Sequence, residues 1–500
     1  MKTLFITPGR HSFPKKLFVA SAMLCGFSAF APQPVVQDTV NPQHYKLDEV
    51  LVQSVRAGST TPVTFSNVTK QEIAPRNLGQ DIPVLLNYLP SVVTTTDAGN
   101  GVGYTGIRVR GADASRVNVT LNGIPFNDAE SHGSFWVNMP DFASSAESIQ
   151  VQRGVGTSTN GAGAFGASIN VLTDSYKNNA EGEISNSFGS YATRKHTVKF
   201  STGLIDNQFE VAGRLSNLAS DGYIDRASSD LKSYFLQGTY VNNNTLIKAL
   251  VFGGKEKTYQ AWNGIDAGMM GRNRRFNYSG MYVDENGNDR FYDNETDNYQ
   301  QDNYQLHWNQ KLNGNWSTNL AFHYTIGKGY YENYRDDATL ADYTLAPINV
   351  GGTEITEADL ITQKWLDNAF YGATFSANYK NNNLNLVFGG AWNKYEGAHF
   401  GKVIWSQYSG SVRPDDRYYD NDASKTDANI YAKANYQITE KLNLFGDLQL
   451  RRVEYKATNV LESSATPLPV NDDFNFFNPK AGLTYTLNDK QNIYFSYARA

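Results

Sequence analysis

The chain has 500 residues, a formal net charge of −5 and 40 % hydrophobic residues, with a mean hydropathy of −0.48. That is too polar for a bundle of membrane helices, and no run reaches the roughly 18 apolar residues a spanning helix needs. No basic block is present, so nucleic-acid binding has no support. The abundance of Tyr (31) and Phe (27) in so hydrophilic a chain fits strands that turn alternate side chains to lipid.

Residues 1–31 have the pattern of a secretory signal peptide. Lys15 and Lys16 precede an apolar stretch, Leu17 to Phe30, that ends at the small-residue site near Ala31. The single cysteine, Cys25, falls inside it, and Met23-Leu24 lacks the small residue of a lipoprotein site. Residues 32–60 form a flexible leader holding a short extended run, Leu47 to Val52. Residues 61–175 mix element types. Helical spacing covers Asn77–Leu89, a helical turn is expected over Asp141–Ser148, and strands over Ile107–Arg110, Val117–Leu121, Ser148–Val151 and Ala167–Leu172.

From about residue 180 to 500 the period becomes two. Trp316, Thr318, Leu320, Phe322, Tyr324 and Ile326 alternate with polar or small residues, as do Leu442, Leu444, Leu448 and Leu450. Short polar turns at 205–207, 242–244, 313–315, 381–383, 439–441 and 488–490 alternate with long connections at about 254–301, 328–367, 396–425 and 457–476. Segregation of loop length to one end is the mark of an up-and-down outer-membrane barrel, with short periplasmic turns and long external loops. About thirteen strands are expected, against the roughly 22 of a plugged outer-membrane transporter. An unclosed sheet is therefore expected, with the chain incomplete at its C-terminal end.

The runs Leu47-Asp48-Glu49-Val50-Leu51-Val52, Ile107-Arg108-Val109-Arg110-Gly111, Asn118 to Pro125, Glu147 to Gly154 and Gly166 to Val171, in this order and directly before the barrel strands, resemble the coupling box and plug of TonB-dependent outer-membrane receptors. The resemblance covers nearly the whole chain. It implies a mainly β fold, in which a small α+β plug precedes a transmembrane antiparallel β-barrel in the outer membrane of a Gram-negative bacterium. It also implies that Asp48, Glu49, Val50, Leu51 and Val52 bind TonB, which works with ExbB and ExbD in the inner membrane. An extended segment on a flexible leader can add as a strand to a partner's sheet edge.

In this family the ligand sits between the plug apices and the external loops. By position the candidates are Tyr104, His132, Phe135 and Trp136 in the plug, and Trp262, Arg272, Arg274, Arg275, Tyr330, Tyr331, Tyr334, Trp405, Arg413 and Arg417 in the barrel loops. Arginine with aromatic rings suits an anionic ligand such as a ferric chelate. The expected function is energy-coupled import of an iron–siderophore or similar chelate. Glycan, cobalamin or haem import, or an uncoupled surface-binding barrel, are the alternatives.

Other patterns have plainer readings. Gly101-x-Gly103-x-x-Gly106 and Gly161-x-Gly163-x-x-Gly166 are each followed by a strand rather than a helix, so they serve turns and not a nucleotide. Asp284 to Glu295 lacks the sixth-place glycine of a calcium loop and reads as a polar hairpin. Asp128, Glu130 and His132 suit a solvated apical loop better than a metal. No cofactor, resident metal or enzymatic motif is expected.

Overall fold

The computed structural model describes residues 56–160, 165–408, 413, 416–462, 467–488 and 491–499. The expected signal peptide, the leader and the Asp48–Val52 segment lie outside the described residues, as does most of the second glycine pattern.

The first domain starts with β1 (Thr64–Thr69) and the one-turn helix α1 (Lys70–Ile73). Thr69 and Glu72 form a capping box: the Thr69 hydroxyl accepts from the Glu72 amide, and the Glu72 carboxylate accepts from the Thr69 amide at 2.7 Å. The helix expected over Asn77–Leu89 shrinks to α2 (Ile82–Leu85). Gly79 sits at φ 128°, which an α-helix cannot use, and Pro83 is tolerated only in a first turn. Then come β2 (Val92–Thr96), β3 (Thr105–Val109), β4 (Val117–Leu121), β5 (Ile124–Pro125), β6 (Ala146–Arg153) and β7 (Ala167–Thr173). Over Asp141–Ser148 the helical turn is a 3₁₀ segment, Phe142–Ser145.

β1, β6, β7, β4 and β5 make a five-stranded sheet in that order, with β4 and β7 parallel and the other pairs antiparallel. Its core gathers Leu86, Val109, Val119, Ile149, Ile169 and Phe142, and it runs on into Phe235 and Phe252 of the surrounding wall. The Phe142 ring lies 5.2 Å from that of Phe252.

That wall is built of β8 (Glu181–Phe188), β9 (Arg194–Ser201), β10 (Phe209–Ser220), β11 (Ser229–Val241) and β12 (Thr245–Tyr259). After α3 (Ala267–Arg272) and the small hairpin β13 (Met281–Val283) and β14 (Asp289–Phe291) it continues with β15 (Thr296–Lys311) and β16 (Trp316–Thr339). A second small hairpin, β17 (Ile348–Val350) and β18 (Thr353–Ile355), precedes β19 (Glu357–Lys380) and β20 (Leu384–Ser406). The wall ends with β21 (Arg417–Gln437), β22 (Leu442–Ala457), β23 (Val470–Asn488) and β24 (Gln491–Ala498). Leaving out the two small hairpins, these are thirteen strands in sequential antiparallel order, with β8 and β24 at opposite ends of the ladder. No helix among the described residues is long and apolar enough to cross a membrane.

The wall is apolar on its outer face and polar inside. In β22, Leu444, Leu448 and Leu450 are 45, 51 and 53 % exposed, while Asn443, Asp447 and Gln449 point inward at 5, 0 and 4 %. A soluble sheet would bury the leucines, whereas a lipid-facing barrel exposes them. Five of the six short turns fall where the sequence places them, and the sixth, at 488–490, lies mostly outside the described residues. The long connections are shorter than expected, because β16 and β19 run for 24 residues each. A strand needs only about 9–11 residues to span a bilayer, so these hairpins stand well clear of it. Beyond the bilayer they carry a small core of their own, with Leu340, Leu360, Val403 and Tyr419.

Buried charge holds the first domain in the lumen. Asp141 accepts from Lys195 at 2.6 Å and Arg214 at 3.2 Å, and from Thr197, Ser216 and Ser144 hydroxyls at 2.8, 2.7 and 2.5 Å. Its carboxyl lies well below the usual carboxylate range: burial alone would raise it, but Arg214 and Lys195 outweigh that. Farther along the wall, Asp447 accepts from the Ser158 amide at 2.8 Å and from the Ser158 hydroxyl.

Two outcomes follow from this arrangement. Asp141→Asn leaves two buried cations without their counter-charge and should loosen the domain's seating by about 3–5 kcal/mol. Hydrogen exchange should then speed up across β6 and β7, and unchanged protection would refute the anchoring role. Leu448→Arg should destabilise the bilayer-embedded protein by about 2–4 kcal/mol if that face meets the bilayer midplane; reversible unfolding from vesicles measures it, and no loss would argue against lipid contact there.

Candidate functional site

Between the top of the inner domain and the wall lies a cavity of about 510 Å³. The β2–β3 connection enters it because Gly101 and Gly103 adopt φ 85° and 90°, a region closed to most side chains. A Cβ on Gly103 would also come within 2.7 Å of the Ser229 hydroxyl. The tight loop delivers Tyr104 to the cavity wall, where its hydroxyl donates to Asp297. The ring meets Trp262 edge-on at 5.5 Å, and Trp262 in turn meets Tyr331 at 5.9 Å. Tyr330 pairs with Trp365 at 4.5 Å.

The charged lining is mainly acidic. Asp97, Asp128, Glu256, Asp297 and Glu462 face Lys364 and His399, and Lys364 is paired with Glu462. Burial pushes the Asp97 carboxyl up to about 6 and raises the Tyr104 phenol well above its usual value, with the Glu256 charge adding to the latter.

A second cavity of about 200 Å³ adjoins it, sharing Asn127, Asp128 and Tyr395. Its roof is the loop around Glu130, which three wall strands clasp. Glu130 accepts from Tyr395 at 2.8 Å, His399 at 2.7 Å and Tyr455 at 2.7 Å. Burial would raise its carboxyl, but these donors bring it below the ordinary value. Lys425 donates to the Ala129 carbonyl and to Nε2 of His132, at 2.5 and 2.8 Å, so His132 accepts as a neutral ring. Asp128 caps its own turn through the Glu130 and Ser131 amides. Hydrogen bonding thus accounts for all three residues without a metal.

Of the residues singled out in the sequence, Tyr104, Phe135, Trp262, Tyr330 and Tyr331 meet in the larger cavity and His132 lines the smaller one. Trp136 does not reach either: it is 3 % exposed and packs in the core beside Phe126. Arg272 ends α3 and Arg274 and Arg275 follow it, all three exposed, and Arg275 pairs with Asp225 at 3.3 Å. Arg413 is exposed, Arg417 pairs with Asp420, and Trp405 stacks at 6.4 Å on Tyr334 away from the cavity. Tyr330, Tyr331, Tyr334 and Trp405 belong to strands rather than loops, since β16 and β20 extend past the expected ends. None of these five arginines lines either cavity, whereas Arg451 and Lys425 line the smaller one.

Asp97, Glu256, Asp297, Lys364 and Trp365 were not foreseen. For the four on wall strands the one sequence signal is the inward phase of the strand, which every lumenal residue shares, and Asp97 is one of several polar residues in the β2–β3 connection. Asp284 closes the β13–β14 hairpin by accepting from the Asn286 and Asn288 amides, as the hairpin reading expects. One acidic trio, Asp336, Asp337 and Asp359, brings its oxygens within 4.8 Å of one another at an exposed hairpin tip. Asp359 is already engaged by the Tyr334 hydroxyl at 2.6 Å and the Asp337 amide at 3.0 Å.

Residues 57–168 match the TonB-dependent receptor plug domain, and residues 256–500 match the TonB-dependent receptor-like β-barrel. The fold is shared with the ferric-catecholate import receptor Fiu of E. coli K12, at 16 % identity over 89 % of this chain and 70 % of that one, TM-score 0.61. It is shared too with the siderophore receptor PiuA of Acinetobacter baumannii, at 16 % identity over 89 % and 66 %, TM-score 0.64. The ferric citrate transporter FecA gives 14 % over 87 % and 62 %, TM-score 0.65. The chain thus spans between 62 % and 70 % of the length of these receptors.

Beneath the cavity, Asp81 is fully enclosed and takes a hydrogen bond from Thr105 at 3.0 Å. Burial pushes its carboxyl up to about 8. The folded domain therefore keeps a proton that the unfolded chain gives up near pH 4, roughly. Stability from this group falls as pH rises from about 4 to about 8 and is level above that. Asp81→Asn keeps an acceptor for Thr105 and should flatten the slope. Amide exchange in β2 and β3 at pH 5, 7 and 9 tests this, and equal slopes in both proteins would contradict the assignment.

Proposed function

Because the chain belongs to the TonB-dependent receptor family, we propose that it carries a scarce, bulky solute inward across the outer membrane of a Gram-negative bacterium, with TonB supplying the work. The observation that carries this reading is a folded plug pinned in a polar lumen by buried ion pairs. A passive pore gains nothing from such an obstruction, whereas a gated importer needs a stopper that force can shift. The ligand would rest in the cavity lined by Tyr104, Trp262 and Tyr331. Asp48 to Val52 would pair as a strand with TonB, itself driven through ExbB and ExbD by the proton-motive force. The similar solved receptors are described as a ferric-catecholate import receptor, a siderophore receptor and a ferric citrate transporter, so a ferric chelate is the cargo class we propose.

Proline at Val50 removes a backbone donor and fixes φ, which prevents strand addition. Val50→Pro should abolish energised uptake while ligand binding to cells persists; normal uptake by this variant would overturn the coupling assignment. A deletion strain grown on ferric chelates, haem, cobalamin and glycans tests the cargo. Loss on glycans alone, with iron uptake intact, would exclude a ferric chelate.

A further inference from the structure

Three carboxylates, Asp97, Glu256 and Asp297, face the cavity on the side of Tyr104. Among the described residues none of them has an ion-pair partner, and no lysine or arginine acts on any of them. Tyr104 adjoins both Glu256 and Asp297, but a phenol has one proton to give, and it goes to Asp297. Both oxygens of Glu256 are left without a hydrogen bond, although the residue is only 2 % exposed. A buried carboxylate in that state is costly unless it takes up a proton or something positive meets it.

The surroundings say what kind of cation fits. The carboxylate oxygens of these three residues do not converge within 4.8 Å as those of Asp336, Asp337 and Asp359 do, so one bare metal ion cannot be shared among them. Instead the rings of Tyr104, Trp262 and Tyr331 meet edge to face at the same wall, and ring faces attract organic cations. Of the basic groups of the cavity, Lys364 pairs with Glu462 and lies 5.8 Å from the centre of the Tyr331 ring, and His399 pairs with Glu130.

We propose that the Asp97–Glu256–Asp297 wall, with the rings of Tyr104, Trp262 and Tyr331, is a receptor for a protonated amine or guanidinium group on the ligand. This rests on the import reading and narrows it: the cargo presents an organic cation to the plug. Glu256 supplies an unpartnered carboxyl that a cation would hold ionised, Asp297 is oriented by Tyr104, and the rings exclude water and favour a flat or alkylated cation.

The test uses the purified full-length receptor in lipid nanodiscs and three fluorinated probes of one size, a benzylammonium, its N-acetyl amide and a benzoate, followed by ¹⁹F NMR. The ammonium should bind at least tenfold more tightly than the amide, and the benzoate least. Glu256→Gln should remove most of that preference, and Asp297→Asn should weaken it, with plug amide protection checking that each variant is folded. Equal binding of ammonium and amide by the native receptor, or an undiminished preference in folded Glu256→Gln, would overturn the proposal. The measurement needs no energy source, so it stands apart from the uptake assay. Coupled uptake without cation preference sinks this inference alone, and cation preference without coupled uptake sinks the import reading alone.

Discussion

The seating of the plug depends on one buried carboxylate. Asp141 holds Lys195 and Arg214 at 2.6 and 3.2 Å in a place from which water is excluded. Neither cation would stay there without it, and the carboxylate would not stay ionised without them. A buried ion pair of this kind adds little net stability over an apolar contact, but breaking it is expensive. It therefore acts as a register mark. The domain fits the wall in one position, and a partial displacement strands charge in a medium that cannot solvate it.

The same logic explains why the wall is inverted relative to a soluble sheet. Hydrocarbon outside accepts the leucines of β22, and the interior must satisfy Asn443, Asp447 and Gln449. In an open channel water would do so. Here the Ser158 amide and hydroxyl take Asp447, and the Ser158 carbonyl accepts from Gln449 at 3.4 Å. Where the wall turns apolar instead, Phe235 and Phe252 extend the plug core. Plug and wall thus supply each other's missing partners, and neither face is that of an independent soluble domain.

Much of this architecture is legible in the sequence wherever one face of an element is apolar and the other is not. The thirteen strands, the short turns and the plug strands expected over Val117–Leu121 and Ala167–Leu172 come from period and turn chemistry alone. The signal fails above the bilayer, where both faces of β16 and β19 are wet and alternation no longer marks a strand, so Tyr330 and Tyr331 look like loop residues. It fails at Trp136, because an aromatic beside a polar loop has the same local pattern whether it is buried or exposed. The acidic side of the cavity was hidden for a different reason. Glu256 and Asp297 come together only when β12 pairs with β15, in a register that brings Glu256 opposite Tyr299. Asp97 reaches them from a separate domain.

The hairpin tips have a core of their own, around Leu340, Leu360 and Val403, while the cavity is built from strand positions, the plug loops and the start of the β12–α3 connection, with Tyr419 shared between the two. Away from Tyr419, mutation can therefore act on the two separately. Residues at the tips, which antibodies, phages or toxins would meet first, can drift without moving the rings and carboxylates that face the plug. Escape from outside attack and retention of the cargo are then separable traits, and natural variants should differ most around residues 284–288 and 341–356 and least at Tyr104, Glu256 and Asp297.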